Sequence, residues 1–519
     1  MDLLRAIARH AAAHPDRPAI VRQRPDGGVF DTVSRAGFAG LVGYFARILH
    51  PLPPAPVALT LWHRRDALAL AAMVGVLAAG GGFAFLNQKL QPPQWGPLLG
   101  RLGATRILTD RTGLRSLAAG TEHWTPAPGS AILLPIRPGE APPSVPCPLQ
   151  TLDPLPEPPA APLPCPPDAP ACCLFTSGST GPPKGVLVSR KDLDRRVAGE
   201  VALLGLGPDD RLLALLAWSA DVGLNQALAA LAAGATLVIL DLALPADILT
   251  TAARQGITGI HAIPTIWQGL LGAGLAFDTA GRHQSLRFLT LSAGDLPPVQ
   301  RDALPHLAPG VGIFKTYGQT ETFRSSALRP EEFSGHAASV GRPLPGVNIT
   351  IVDDAGRPLP PGHSGQIIHR GAGTMLGYLD QDRPPPDQVA TGDWGHLDPE
   401  GYLHIAGRRD AMLKVAGHRF YPREIDAQVM TLPAVAVAQT VGLAPAGGGD
   451  RLPVTCVEAL AGQILDGPTL ERALRRRLPS HMLPVRLIPL AALPRTANGK
   501  PDLVALERLA RIALGEDGA

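Results

Sequence analysis

The run from Ala171 to Gly185, Ala-Cys-Cys-Leu-Phe-Thr-Ser-Gly-Ser-Thr-Gly-Pro-Pro-Lys-Gly, constrains the fold more than any other part of the chain. An apolar strand feeds directly into a loop rich in hydroxyls and glycine that reaches Lys184. Glycine lets backbone approach an anion closely, Ser and Thr hydroxyls donate to phosphate oxygens, and the lysine adds charge. The loop is suited to holding phosphate. A Walker-type loop would open a helix after Gly-Lys-Ser/Thr. Here Lys184 is followed by Gly-Val-Leu-Val-Ser, a short β-like alternation, which argues against that class.

Composition bounds what can surround this loop. The 57 glycines and 56 prolines among 519 residues stay under the level of about 25–30% at which disorder becomes the leading reading. The chain is long enough for several cores. A formal net charge of +3 gives no electrostatic case for nucleic acid or an anionic membrane as a partner. The first 14 residues read as an amphipathic helix rather than a signal peptide, so the expected compartment is the cytoplasm. Residues 67–86 match a membrane span in length, but Gly80-Gly81-Gly82 would interrupt it, and a helix followed by a strand from Phe83 is expected instead. Cys147, Cys165, Cys172, Cys173 and Cys456 lack metal-ligand spacing, and adjacent Cys172 and Cys173 in a strand point to opposite faces.

Helical and strand patterns alternate along much of the chain. Gln226 to Ala233 precedes a strand from Ala235 to Leu240, and Ala246 to Gln255 precedes one from Ile257 to Ala262. That order predicts an α/β fold with buried parallel strands. Residues 138–170 are dense in proline and read as an extended surface connection. From Gly346 to Gly407 short β-like runs separated by glycine predict a small β subdomain. After Arg408 the chain reads as a separate α+β unit with a helix near 469–478 and a polar C-terminal turn.

Lysine is rare: Lys89, Lys184, Lys191, Lys315, Lys414 and Lys500 are the six, and arginine supplies nearly all other positive charge. A lysine in such a chain can mark a place that needs a compact charge on a flexible stem. Lys184, Lys414 and Lys500 all fall in segments containing glycine and charge.

Five motifs in order, the loop 176–185, Tyr317-Gly-Gln-Thr-Glu321-Thr, Thr391-Gly-Asp393-Trp-Gly-His-Leu-Asp-Pro-Glu-Gly-Tyr, Gly407-Arg408-Arg-Asp410 with Lys414-Val-Ala-Gly417-His-Arg419, and Pro494-Arg-Thr-Ala-Asn-Gly-Lys500, resemble the adenylate-forming superfamily. That family comprises acyl-CoA synthetases, nonribosomal-peptide adenylation domains and firefly-type luciferases. The resemblance implies a large N-terminal domain of several subdomains over 1–408, with the ATP and acyl sites, and a smaller mobile α+β domain over 409–519. It implies a carboxylate attacking the α-phosphate of ATP, followed by transfer of the acyl group to a thiol. Thr176, Ser177, Gly178, Ser179, Thr180, Gly181 and Lys184 would hold the β- and γ-phosphates, Glu321 would bind Mg²⁺, and Ala293 and Gly294 would run along the adenine edge. Thr316, Tyr317, Gly318 and Thr320 would complete the nucleotide site, with Tyr317 packing on adenine. Asp393 would accept the ribose hydroxyls with Arg408 nearby. Lys500 would bridge the acyl carboxylate and α-phosphate and, with Glu321 and Thr176, make up the catalytic set. Asp410 would be the hinge that later presents Lys414, Gly417 and Arg419 to the thiol. Two departures from the family pattern, Ala411 after the hinge and Arg190 after the loop, remove no catalytic group.

The resemblance also places Asp221, Val222, Asn225, His261, Leu291, Ala293, Thr316, Arg324 and Ser325 around the acyl group, a polar pocket. Asp221 stands where amino-acid-activating relatives carry the partner of the substrate ammonium, and a buried carboxylate needs a cation. Val222, His261 and Leu291 resemble the pattern of serine-activating domains, whereas Asn225, Thr316 and Arg324 do not. Arg324 would meet a second carboxylate of the substrate or else neutralise Asp221. The expected function is activation of a small polar, serine-like amino acid for the phosphopantetheine of a separate carrier protein. The alternative is an acyl-CoA synthetase for a short polar or dicarboxylic acid, with CoA as acceptor. A non-catalytic nucleotide-binding homologue is disfavoured because Glu321 and Lys500 are both present.

Overall fold

The computed structural model describes every residue except 1, 25–27, 51, 53–56, 60–64, 88–89, 120–130, 136–148, 153–164, 177–182, 242–243, 382–384, 433, 445–449, 461–462, 497–500 and 516–519. Six strands, Pro18–Gln23, Thr236–Leu240, Arg211–Ala214, Gly259–Ala262, Phe288–Leu291 and Gly312–Tyr317, lie side by side and parallel in a nine-stranded sheet. Antiparallel Ser326–Leu328, Arg342–Pro343 and Val29–Ser34 close its edges. The parallel strands are near-continuous apolar runs because helices cover both faces. The expected α/β alternation is borne out. Helix Asp221–Ala233 ends at Gly234 and returns the chain to Thr236–Leu240, and Pro245–Gln255 does the same for Gly259–Ala262.

The second large sheet has eight strands and carries the phosphate-loop candidate. Pro170–Thr176 and Lys184–Ser189 form an antiparallel pair within it, flanked by Phe83–Phe85 on one side and the two-residue strand Gly377–Tyr378 on the other. Cys172 and Cys173 do point to opposite faces: Cys172 packs in the core between the sheets, Cys173 in a separate cluster with Trp95 and Leu114. Both thiols are buried, which pushes the Cys172 thiol up to about 12. Cys147 lies outside the described residues. Within 67–86 the chain forms helix Ala67–Ala78 and strand Phe83–Phe85, as the glycines demand, and among the described residues no helix is long and apolar enough to cross a membrane. Ala67–Ala78 is apolar all round and packs, with Asp221–Ala233, in the largest hydrophobic cluster. Part of the proline-dense connection is a strand, Leu149–Leu152, on the sheet edge; 136–148 and 153–164 lie outside the described residues.

The expected small β subdomain is a four-stranded antiparallel sheet of Val347–Val352, Gly365–Gly371, Gln388–Leu397 and Leu403–Arg408. Beyond it a smaller α+β subdomain combines the hairpin Leu413–Val415/His418–Phe420, a three-stranded sheet and three helices, Pro422–Val429, Gly467–Leu474 and Leu503–Ala513. Helix Leu503–Ala513 stands where the sequence predicts a polar C-terminal turn; its Leu506 and Ala510 are buried against the three-stranded sheet.

The core of this subdomain contains one carboxyl with a consequence for pH. Asp426, on the inner face of Pro422–Val429, accepts the Thr440 amide at 2.6 Å, and burial pushes its carboxyl up to about 7. The folded state then holds a proton that the unfolded chain has released above the ordinary value near 3.8. Between those limits the folded state binds more protons, so stability falls as pH rises and levels off above about 7. Asp426→Asn keeps the acceptor and removes the titration. Amide protection in Pro422–Val429 and at Thr440, taken after division by the intrinsic exchange rate, should rise at pH 8 relative to the parent protein and lose the parent's fall between pH 5 and 7; an unaltered protection profile refutes this.

Candidate active site

The site forms where the parallel strands end and their loops meet the second sheet. Thr176 closes the strand Pro170–Thr176 opposite Lys184, to whose carbonyl its hydroxyl donates at 3.4 Å. Ser177, Gly178, Ser179, Thr180 and Gly181 lie outside the described residues. Beside Lys184, Arg101 donates to the Pro183 carbonyl and ion-pairs with Asp380. On the neighbouring strand Tyr378 pairs with Val186, and its ring sits 5.3 Å from the Lys184 ammonium. Its hydroxyl donates to Glu321 Oε1 at 3.1 Å. Burial, reinforced by the Glu321 carboxylate, pushes the Tyr378 phenol up to about 12, so it stays a donor. Lys184, Tyr378 and Glu321 therefore form one chain of contacts at the start of Lys184–Ser189, and Glu321 offers the hard carboxylate oxygen that suits Mg²⁺.

A second group centres on Asp393. Its Oδ2 accepts from Tyr317 Oη at 2.7 Å and from Gln319 Nε2 at 2.8 Å, while Arg408 stands 3.7 Å from Oδ1. Gln319 and Arg408 also donate to the Thr391 carbonyl, at 2.6 and 2.9 Å. Burial raises the Asp393 carboxyl against the opposing pull of the Tyr317 and Gln319 hydrogen bonds and Arg408. Arg408 reaches on to Asp410 at 3.4 Å, in the short helical turn Arg409–Ala411. Ala293, followed by Gly294 at the end of Phe288–Leu291, holds φ at +59°. That left-handed conformation costs a non-glycine residue about 1–3 kcal/mol, and such strain clusters at ligand sites.

The third group is buried. Arg324 Nε lies 2.5 Å from Glu200 Oε2, Nη2 donates to Glu200 Oε1 at 2.6 Å, and Nη1 donates to the Thr316 hydroxyl. Glu200, on helix Arg190–Leu204, is 0% exposed. His261 Nδ1 stands 3.4 Å from the same carboxylate; burial, with Arg324 adding repulsion, pushes its imidazole down to about 3, so the ring is neutral. Arg324 thus has a protein partner that neither sequence alternative named: it is Glu200, not Asp221. Asp221 and Val222 begin helix Asp221–Ala233, half-buried, and Asp221 Oδ1 accepts the Val222 amide at 2.8 Å. The Asp221 carboxylate lies in the field of Arg196, a buried guanidinium that donates to the carbonyls of Thr320 and Gly373.

Asn225 donates to the Arg196 carbonyl at 3.4 Å, and Ser325 Oγ lies 3.0 Å from His369 Nδ1. Leu291 is not brought to His261. The register sets His261 beside Thr290 and Ala262 beside Leu291, so the leucine faces the opposite side of the sheet, in the core of Trp267 and Leu304.

Lys414 and Arg419 pair across the hairpin Leu413–Val415/His418–Phe420, exposed, with Ala416 and Gly417 at positive φ in its turn. Lys500 lies outside the described residues. Three contributors escaped the sequence reading, Glu200, Tyr378 and Gln319. Only Gln319 carried a signal, inside the motif that supplied Tyr317 and Glu321.

The sequence pattern of the family described as AMP-binding enzyme matches residues 7–379. The chain belongs to this family. This AMP-binding enzyme is 32% identical over 351 residues to a probable non-canonical nonribosomal peptide synthetase, CymA, of Salinispora arenicola, covering 65% of the chain and 4% of that protein. It is 29% identical over 516 residues to the sulfoacetate–CoA ligase of Cupriavidus necator, with 95% of each covered. Its fold superimposes on the anthranilate CoA ligase AuaEII in complex with anthranoyl-AMP with a TM-score of 0.84 at 22% identity, covering 99% and 98% of the two chains. The AMP-binding enzyme thus spans a small part of the peptide synthetase and nearly all of the sulfoacetate ligase.

Proposed function

We propose that this chain uses ATP and Mg²⁺ to activate a short polar carboxylic acid and passes the acyl group to coenzyme A. A carboxylate oxygen attacks the α-phosphorus, the bond to the bridging oxygen breaks, and acyl-AMP and pyrophosphate result. The thiol then attacks the acyl carbon and AMP leaves. Thr176, Lys184 and the loop between them would hold the departing pyrophosphate, Glu321 the Mg²⁺, and Tyr378 would orient Glu321 by its hydrogen bond. Tyr317, Ala293 and Gly294 would border the adenine and Asp393 with Arg408 the ribose. Lys500 would bring the acyl carboxylate to the α-phosphate, and the hairpin of Lys414, Gly417 and Arg419, swung about Asp410, would receive the thiol.

The observation that carries the choice of acid over amino acid is the charge balance at Asp221. An ammonium is attractive to a buried carboxylate only where no other cation serves it, and Asp221 is half-buried, hydrogen-bonded to the Val222 amide and in the field of Arg196. End-to-end likeness to a sulfoacetate–CoA ligase, named for an acid without an ammonium, supports an acid over an amino acid and carries nothing about the charge of the tail. A second reading, a serine-like amino acid delivered to a carrier protein, is favoured by the likeness to a peptide synthetase.

Pyrophosphate release from ATP and Mg²⁺, run on amino acids and their deamino counterparts, separates the two. Deamino acids should be preferred, and Asp221→Ala should change kcat/KM for both series by the same factor. Preference for amino acids, abolished selectively by Asp221→Ala, would instead establish the second reading.

A further inference from the structure

Two arginines and two carboxylates lie among the candidate acyl-site residues and the helix behind them: Arg324 with Glu200, and Arg196 near Asp221. The Arg324–Glu200 pair is the more restrictive. A guanidinium recognises a substrate carboxylate best through a two-pronged fork, and the Nε/Nη2 edge of Arg324 is occupied by both oxygens of Glu200. The remaining Nη1 is spent on Thr316 and, at 3.4 Å, on Ser292 Oγ. His261, neutral beside the pair, adds no charge. Helix Arg190–Leu204 puts Glu200 there by its own periodicity, since Leu193, Arg196, Val197, Glu200 and Leu203 share its buried face.

Buried ion pairs of this kind rarely add stability over apolar packing, so their effect is to be sought in what the pocket accepts. Arg324 Nε and Glu200 Oε2 make no hydrogen bond but face each other at 2.5 Å as an ion pair, and Arg196 Nε also lacks a hydrogen-bond partner; the other unpartnered polar atoms near the pair are uncharged. They are both ring nitrogens of His261, Thr290 Oγ1 on the adjacent strand position, and Oδ1 of Asn225, whose amide nitrogen meets the carbonyl of Arg196 one turn from Glu200. They call for a partner that donates and accepts hydrogen bonds without charge.

Resting on the reading that Arg324 and His261 face the acyl group, we infer that Glu200 is a specificity-determining residue. By consuming the charge of Arg324 it makes the pocket reject acids with a second anionic group and accept those whose tail is neutral and polar, such as an amide or a hydroxyl. Glu200 touches Arg324 rather than the substrate, so its role is positional.

The test compares acids that share a two-methylene spacer and differ in the tail group and its charge: succinamate, succinate and β-alanine, with kcat and KM taken from pyrophosphate release. The parent enzyme should prefer succinamate to succinate. Glu200→Gln, which frees the fork, should raise the succinate-to-succinamate ratio of kcat/KM about tenfold or more, mostly through KM. Arg324→Gln, the second variant should the first not fold, should instead raise β-alanine relative to succinamate. A purely structural pair would lower all acids in parallel, and unchanged ratios in either folded variant overturn the inference, as would succinate preference in the parent. If the parent turns over none of these acids, succinate binding by calorimetry decides: about tenfold tighter in Glu200→Gln supports the role of Glu200, and equal binding refutes it. If the parent turns over no acid from a wider panel either, the proposed function fails on its own account.

Discussion

Lys500→Ala is expected to lower adenylate formation about a hundred- to a thousandfold while leaving ATP binding nearly unchanged. The acyl carboxylate and the α-phosphate are both anionic and repel as they approach. A slender ammonium between them removes that repulsion only when the bond is being made, so its loss falls on kcat rather than on the nucleotide's affinity. Lysine is scarce in this chain, six against 41 arginines, and a guanidinium is too broad for the task. The same variant, supplied with a synthetic acyl-adenylate, should still transfer the acyl group to the thiol, because that half-reaction is assigned to the hairpin of Lys414 and Arg419. Pyrophosphate release, nucleotide calorimetry and thioester formation from the adenylate check the three statements. Undiminished adenylation, or equal loss in both half-reactions, would remove Lys500 from its role.

How much of this was legible in the sequence depended on range. Local periodicity revealed the parallel strands, the break at Gly80-Gly81-Gly82 and the opposed faces of Cys172 and Cys173, because each rests on the period of a single element. The motif residues Tyr317, Glu321, Asp393 and Arg408 were visible through the resemblance, and the structure gathers Tyr317, Asp393 and Arg408 in one hydrogen-bonded group. What stayed hidden needed pairing across the chain. Glu200 sits 124 residues from Arg324, in a helix whose buried face already holds another charge, so nothing local marks its partner. Tyr378 belongs to a strand of two residues, too short for any period to show, and reaches Glu321 only because that strand docks on Lys184–Ser189. Sequence position puts Leu291 with His261, yet a register of one residue sends it to the other face.

Gly318→Ala should inactivate the enzyme through a backbone clash, without removing any functional side chain. A β-carbon at Gly318 would sit 1.4 Å from the Phe323 carbonyl oxygen, 2.5 Å from its carbon and 2.9 Å from Arg324 Cα, all backbone or tied to it. The loop cannot yield cheaply. Ser325 donates to the Tyr317 carbonyl at 2.7 Å, Phe323 donates to that of Gln319 at 2.5 Å, and Phe323 is already held at φ +56°. Relief therefore has to come from moving the whole turn, and with it Tyr317, Gln319, Glu321 and Arg324, which serve all three groups of the site. Overpacking of this severity costs about 3 kcal/mol or more, and a displacement of about 1 Å in positioned groups can cost a hundredfold in rate. Gly335→Ala is the contrast, since nothing lies within 4 Å of its β-carbon and it sits in helix Pro330–His336. That change should be neutral or stabilising by about 0.5–1 kcal/mol. Thermal melts and pyrophosphate release on the two variants give the answer: a Gly318→Ala protein with parental melting and rate would mean that the turn is pliable and that the site does not depend on its shape.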